Sequence, residues 1–194
     1  MKIHQATIFP LSIPLIEPIK MAKEVILDAK TVLLRLADEN GNQGWGEASI
    51  APLMTGETLD SLLASLKYLT DKALELEWKD PRLFAKSFDS ILYGNASAKS
   101  CLEMALLDLY TQRNSLSFWQ YLRSIHGDVD GKSPAPIPLL RMLGGTLDRE
   151  LADAISLRKV GYSHWKIKVG ALSLEEDLHG VHVVVCSNHT VPTK

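Results

Sequence analysis

The chain has 194 residues, 46% hydrophobic and 23% charged, which is ordinary globular composition and excludes a disordered or fibrous protein. A formal net charge of -2 and a pI near 6.3 give no general attraction to phosphate backbones or anionic lipid, so nucleic-acid and membrane-surface roles are set aside. Cys101 and Cys186 lie far apart without a disulfide-framework spacing, and Pro10 and Pro14 break the N-terminal region, which holds neither a signal-peptide core nor a spanning run of about 20 apolar residues. A cytoplasmic protein is expected.

Residues 3–16 are rich in β-branched and apolar types and read as an opening strand ending in Pro14-Leu-Ile-Glu-Pro18, with a mobile loop after it. Residues 31–36 and 43–48 read as two more strands. The stretch Glu39-Asn40-Gly41-Asn42 joins them, Asn-Gly supplying the positive φ angles of a tight hairpin. Helical spacing follows in Leu59, Leu62, Leu63, Leu66, Leu69 and Leu74, with Thr58 or Thr55 placed to cap. Asp80-Pro81 opens a second helix to about Leu92. A third begins near Asn95 and gathers Cys101, Leu102, Ala105, Leu106 and Leu109 on one side. The three helices are expected to pack against the hairpin sheet.

The proline-rich stretch Ser133-Pro-Ala-Pro-Ile-Pro138 marks a domain boundary, because the rhythm changes after it. Residues 137–142 read as a short buried strand and Gly144-Gly145 as a turn. Thr146 can cap a helix whose Leu147, Leu151, Ala154 and Ile155 face inward and which Gly161 ends. Residues 162–169 form a second strand, Gly170 a turn, and Ser173-Leu-Glu-Glu176 a capping box opening another helix. Strand, helix, strand, helix is the rhythm of a parallel sheet or barrel.

Chemistry centres on Lys166-Ile167-Lys168. Period-two alternation puts both lysines on one face and Trp165, Ile167 and Val169 on the other. Two ammonium groups whose Cα atoms are roughly 7 Å apart repel each other, which favours one as a proton acceptor. The competing reading is a solvated edge, since lysine is mostly exposed. Glu47 and Asp108 read as structural contacts, and Trp45 and Trp165 as packing residues.

Three segments, in this order and spacing, resemble the muconate-lactonizing subgroup of the enolase superfamily, within the mandelate racemase/muconate lactonizing enzyme family. They are the Gly44-Trp-Gly-Glu47 hairpin, the helix Asn95-Ala-Ser-Ala-Lys-Ser-Cys-Leu-Glu-Met-Ala-Leu-Leu-Asp108 and the strand Gly161-Tyr-Ser-His-Trp-Lys-Ile-Lys-Val-Gly170. The resemblance covers roughly residues 1–178. It implies an α+β capping domain over residues 1–132, an antiparallel hairpin sheet plus three helices. An incomplete (β/α) barrel fragment of about two βα units follows over 133–180, then a divergent tail over 181–194. An eight-stranded barrel takes about 250 residues, so only two units fit after residue 132.

The resemblance implies that Lys168 abstracts the proton α to a substrate carboxylate, while Lys166 supports its charge balance and the enolate. Magnesium or manganese would stabilise that enolate as a Lewis acid. Its carboxylate ligands sit at the ends of the third to fifth strands and a partner lysine on the sixth. No residue of this chain is assigned to them, nor to any other cofactor. The loops over residues 17–28 and 50–57, with Met21 and Met54, would fold over the barrel mouth. The expectation is thus an inactive front part of a muconate cycloisomerase, o-succinylbenzoate synthase or dipeptide epimerase. Its substrate would be a small carboxylate, and its protein partner a second copy or a longer homologue.

After Leu178 the sequence Gly180-Val-His-Val-Val-Val-Cys-Ser-Asn188 departs from the family and is poor helix material, so an unstructured tail and a truncated or altered reading frame are expected. His179, His182, Cys186 and His189 fall at offsets of 3, 7 and 10, one helical face, and imidazole with thiolate suits zinc. Two alternatives to the enzyme fragment therefore stand: a non-catalytic association module built on the capping domain, and a small zinc-binding protein using the tail.

Overall fold

Alternation of apolar and polar residues organises the N-terminal sheet. The computed structural model describes residues 1–20, 25–127, 135–143, 146–170 and 172–189, and its chain divides into two units, Met1–Ile19 with Ile26–Gly131, and Lys20–Val25 with Lys132–Lys194. In the first unit β1 (Ile3–Lys20), β2 (Val25–Asp38) and β3 (Gln43–Ser49) form a three-stranded sheet in that order. β2 and β3 are antiparallel, from Thr31↔Ser49 to Ala37↔Gln43. Val32, Leu34, Leu36, Gly44, Gly46 and Ala48 point inward and are buried. Both long strands exceed their expected bounds: residues 17–20 and 25–28, expected in a mobile loop, are strand. Met21 lies outside the described residues.

The hairpin turn is built by a side chain more than by Asn-Gly. Only Gly41 takes a positive φ, +82°. Asp38 Oδ1 accepts the backbone N–H groups of Asn40 and Asn42, each at 2.9 Å, while Oδ2 accepts Asn42 Nδ2 at 2.9 Å and Arg113 Nη1 at 3.1 Å. Burial works to raise the Asp38 pKa, but these hydrogen bonds and the Arg113 charge outweigh it and hold the carboxyl below its ordinary range.

A single-turn helix, α1 (Pro52–Thr55), lies in the expected 50–57 loop. In α2 (Leu59–Glu75) the cap falls on Thr58, in a reciprocal box with Ser61, and Leu62, Leu66, Leu69 and Ala73 are buried. The helix expected from Asp80-Pro81 starts as a 3₁₀ turn, Pro81–Leu83, where the Arg82 N–H bonds the Asp80 carboxylate and the Leu83 N–H the Asp80 carbonyl, and continues as α3 (Phe84–Ile91). Trp78 meets Phe84 and Phe88 with ring centroids 5.2 and 5.5 Å apart. In α4 (Ala96–Arg113) Ala98, Cys101, Leu102, Ala105, Leu106 and Leu109 are buried against the sheet. Its first turn is satisfied from outside, by Glu57, which accepts from the Ser97 N–H and hydroxyl. A further helix, α5 (Phe118–Ile125), goes beyond the three expected. Ser117 and Gln120 form its capping box, and Tyr121 packs on Tyr110.

The second unit holds β4 (Leu140–Met142), α6 (Leu147–Lys159), β5 (His164–Lys166) and α7 (Leu174–His189), with β4 and β5 parallel. Both strands are shorter than expected, and β4 is exposed where a buried strand was expected. The Gly161 stop is as read: φ is +101°, Tyr162 N–H bonds Leu157 O at 3.2 Å and Gly161 N–H bonds Arg158 O at 3.0 Å, which closes α6. Thr146 sits at the cap position without a side-chain bond, and Ile155 is exposed. The tail is the larger correction. Instead of an unstructured segment, α7 runs to His189, because Val184 is fully buried with Leu143 and Ala154 and this packing outweighs the weak helix propensity of its valines.

Candidate functional site

In the register Leu140↔His164, Arg141↔Trp165, Met142↔Lys166, alternate residues share a face. Trp165 and Ile167 pack on the small core of Leu143, Ala154, Leu157 and Val184. Lys166 is thereby sent to the opposite face, beside Met142, and both are exposed. The Leu143 N–H bonds Lys166 O at 3.0 Å, the last ladder bond, so Lys166 ends β5 and Lys168 stands in the turn after it. That turn is anchored: Gly170, with φ +92°, donates its N–H to Asp177 Oδ2 at 2.6 Å, and Ser173 and Glu176 close the expected capping box of α7. The Ser173 hydroxyl and N–H hold the Glu176 carboxyl below its ordinary range. The arrangement presents two amines at the end of a strand, next to a helix start.

The Gly-Trp-Gly-Glu motif has a structural cause. A Cβ on Gly46 would lie 1.9 Å from Cys101 O, and one on Gly44 2.2 Å from Ala105 O, so β3 rests directly on the α4 backbone. The Trp45 N–H donates to Asp108 Oδ2 at 2.8 Å, and Thr31 Oγ1 donates to Glu47 Oε1 at 2.7 Å. Both carboxylates serve as the structural contacts expected. Trp45 packs on Phe9, with ring centroids 5.9 Å apart, but on the outer face of the sheet, where the residue is 43% exposed. The Asp38–Arg113 pair, which fixes the hairpin to the end of α4, went unread in the sequence; an aspartate just before Glu-Asn-Gly-Asn was its signal.

A hard divalent cation takes six or more oxygen ligands. Among the described residues no group of three or more His, Cys, Asp or Glu is placed to hold a metal, and the lysine face offers none. The residues present do not fit the implied ion. In the tail, Cys186 Sγ lies 3.5 Å from His182 Nε2, but no three-ligand zinc group forms among the described residues. A cleft of about 320 Å³, lined by Glu47, Ser49, Ser97 and Ser100 among others, lies in the first unit.

A sheet-and-helix unit followed by parallel β-α-β-α with Lys-x-Lys at the end of its second strand defines the class: a capping domain joined to the start of a barrel. The N-terminal domain model of mandelate racemase / muconate lactonizing enzyme matches residues 3–122, and the chain belongs to that family. It is 29% identical over 171 residues to an L-Ala-D/L-Glu epimerase of Clostridium acetobutylicum, covering 88% of this chain and 46% of the relative. It is 30% identical over 172 residues to an o-succinylbenzoate synthase of Bacillus subtilis, covering 87% and 44%. The substrate-liganded L-Ala-D/L-Glu epimerase of Bacillus subtilis superposes with a TM-score of 0.83 at 26% identity, over 97% of this chain and 51% of that one. The dipeptide epimerase of Cytophaga hutchinsonii, complexed with Mg and D-Ala-L-Val, superposes with a TM-score of 0.81 at 26% identity, over 96% and 49%. The chain therefore spans about half the length of the relatives it matches. No helix among the described residues is long and apolar enough to cross a membrane.

Proposed function

We propose that this chain supplies the proton-transfer lysines of a metal-dependent enzyme acting α to a carboxylate, of the dipeptide epimerase, o-succinylbenzoate synthase or muconate cycloisomerase type, and that alone it turns over no substrate. The observation that carries the reading is the pair Lys166 and Lys168 at the carboxyl end of a parallel strand, in a chain that matches nearly all of itself but half of each relative. Lys168 accepts the α-proton, and Lys166 supplies the neighbouring positive charge. Small dipeptides, named for several relatives, are the substrate class favoured. Magnesium, present in solved relatives, would be held by carboxylates from barrel strands other than these two, and without it the developing enolate lacks its largest stabilising influence. A cytoplasmic setting agrees with two free thiols.

Exchange of the substrate α-proton in deuterated water, with magnesium or manganese present, tests both parts. Alone, the chain should show no exchange above a Lys168→Ala control; exchange abolished by that substitution and by chelator would overturn the claim of inactivity. Co-expressed with the complementary barrel half of an L-Ala-D/L-Glu epimerase, it should gain exchange that Lys168→Ala removes. A soluble, assembled pair whose activity ignores the substitution would refute the lysine's role. The second reading, a capping unit that associates, is favoured by its exposed aromatic sheet face.

A further inference from the structure

α7 carries a pair of metal-ligating side chains that the catalytic reading leaves unused. His182 and Cys186 stand one helical turn apart and are exposed, and Cys186 Sγ lies 3.5 Å from His182 Nε2 and 3.9 Å from Nδ1. Residues four apart share a helix face. Val184, between them in sequence, falls on the opposite face, where it is buried with Leu143 and Ala154, so the packing of α7 within its own unit turns the pair to solvent. The separation has a chemical meaning. Zinc–sulfur and zinc–nitrogen bonds of about 2.3 and 2.05 Å at a tetrahedral angle place the two ligand atoms about 3.6 Å apart. The pair thus spans one edge of a zinc tetrahedron before any ion arrives, and little rotamer freedom is lost when one enters.

We propose that His182 and Cys186 form a zinc clip on α7, independently of the lysine chemistry above: the imidazole Nε2 and the thiolate bind one borderline-soft divalent ion, and water fills its other positions. Binding forms a Zn–N and a Zn–S bond, breaks the S–H bond and releases that proton to solvent, with no change of oxidation state. The donors exclude hard ions, since magnesium and calcium take oxygen ligands. Two protein ligands are half of a structural zinc set, which corresponds to a Kd on the order of 10 μM. The clip also acts on the helix. Gly180 and the run Val183, Val184, Val185 are weak helix formers, and an ion bridging residues 182 and 186 ties the turn that contains all three valines. Zinc therefore supports the burial of Val184, because it binds the folded turn and not the open one.

Cobalt(II) and zinc(II) titrated into the reduced, metal-free full chain test the clip. One cobalt per chain should bind and give a near-ultraviolet sulfur-to-cobalt charge-transfer band, which zinc removes by competition. Zinc alone should release one proton per chain, protect Cys186 from iodoacetamide and, at a free concentration about ten times its Kd, slow amide exchange across residues 182–186 about tenfold. Cys186→Ser should abolish the band. His182→Ala should weaken cobalt binding at least about tenfold, while His164→Ala, which removes an exposed imidazole outside α7, should leave it within about twofold. Circular dichroism should match the wild type; if a variant fails to fold, iodoacetamide on the native chain, which reaches exposed Cys186 and spares buried Cys101, should remove the band instead. No band up to about 1 mM metal, roughly a hundredfold above the expected Kd, would overturn the proposal. So would a band that survives loss of Cys186, affinity indifferent to His182→Ala, half an ion per chain, or zinc binding that leaves amide exchange unchanged.

Discussion

Replacing Gly46 by alanine should be among the most damaging single-methyl additions in this chain. The new Cβ would sit 1.9 Å from the Cys101 carbonyl oxygen and 2.9 Å from the Ala105 nitrogen, both backbone atoms within a helix, so no side chain can rotate aside. Restoring an ordinary contact of 3.4 Å from 1.9 Å requires β3 and α4 to separate by about 1.5 Å, and a gap of only about 0.5–1 Å already forfeits a quarter to a half of each dispersion contact across the interface. The layer affected holds Val32, Leu34, Leu36, Leu102, Leu106 and Leu109, all fully buried. Allowing for relaxation, and for the ~0.4–1 kcal/mol that alanine contributes by restricting the unfolded chain, the net loss should be about 3–5 kcal/mol. Urea unfolding followed by tryptophan fluorescence measures it. Gly56→Ala is the control: nothing lies near its Cβ, and only its φ of +75° is unfavourable, for about 1 kcal/mol. A Gly46→Ala protein within about 1 kcal/mol of wild type would refute the close-approach argument.

Burial pushes the Cys101 thiol up to about 12, so a thiol reagent should titrate Cys186 alone in the native chain and both cysteines after denaturation. Because the folded value lies above the ordinary 9.0, this contribution to stability is fully present below about pH 9 and is lost as pH rises toward about 12, a loss that Cys101→Ala should abolish in alkaline melts. Asp38→Ala leaves the Asn40 and Asn42 N–H groups without their side-chain acceptor and Arg113 with Glu39 alone, and should cost about 2–3 kcal/mol by urea denaturation. The Asp38 carboxyl is held below its usual value, so its contribution is present above about pH 4 and disappears as pH falls through the lowered value, readable as acid sensitivity that the Asp38→Ala protein lacks. Val184→Asp buries a charge against Leu143 and Ala154, and should abolish amide-exchange protection along the second half of α7.

The parts of the fold legible in the sequence were those that follow one period. The leucines of α2 and the Cys101 to Leu109 stripe of α4 lie where 3.6-residue spacing puts them, and alternation alone places Trp165 and Ile167 toward the helices and Lys166 away. What escaped depended on interactions between segments. The hairpin turn is decided by Asp38 and, across the core, by Arg113, which no local turn rule contains. α7 persists through Val183, Val184 and Val185 because α6 buries one of them. α5 was missed although the Ser117 and Gln120 box announces it, its eight residues being too few for a convincing stripe. For the site, alternation was enough to face Lys166 away from the helices, but Lys168 lies beyond the end of β5, where the alternation no longer applies, and a metal group could not be read, since ligand sets are assembled from distant strands.

The direct rest of β3 on α4 also has a consequence in time. Trp45 and its acceptor Asp108 are 63 positions apart in the chain. At ribosomal rates of about 5–20 residues per second, roughly 3–13 seconds separate their synthesis. Throughout that interval the hairpin can close its own ladder, but Val32, Leu34 and Leu36 have no helix to cover them. The nascent capping unit therefore passes through a stage with a hydrophobic sheet face open, and the arrival of residues 96–113 decides whether it folds or is first captured by a chaperone.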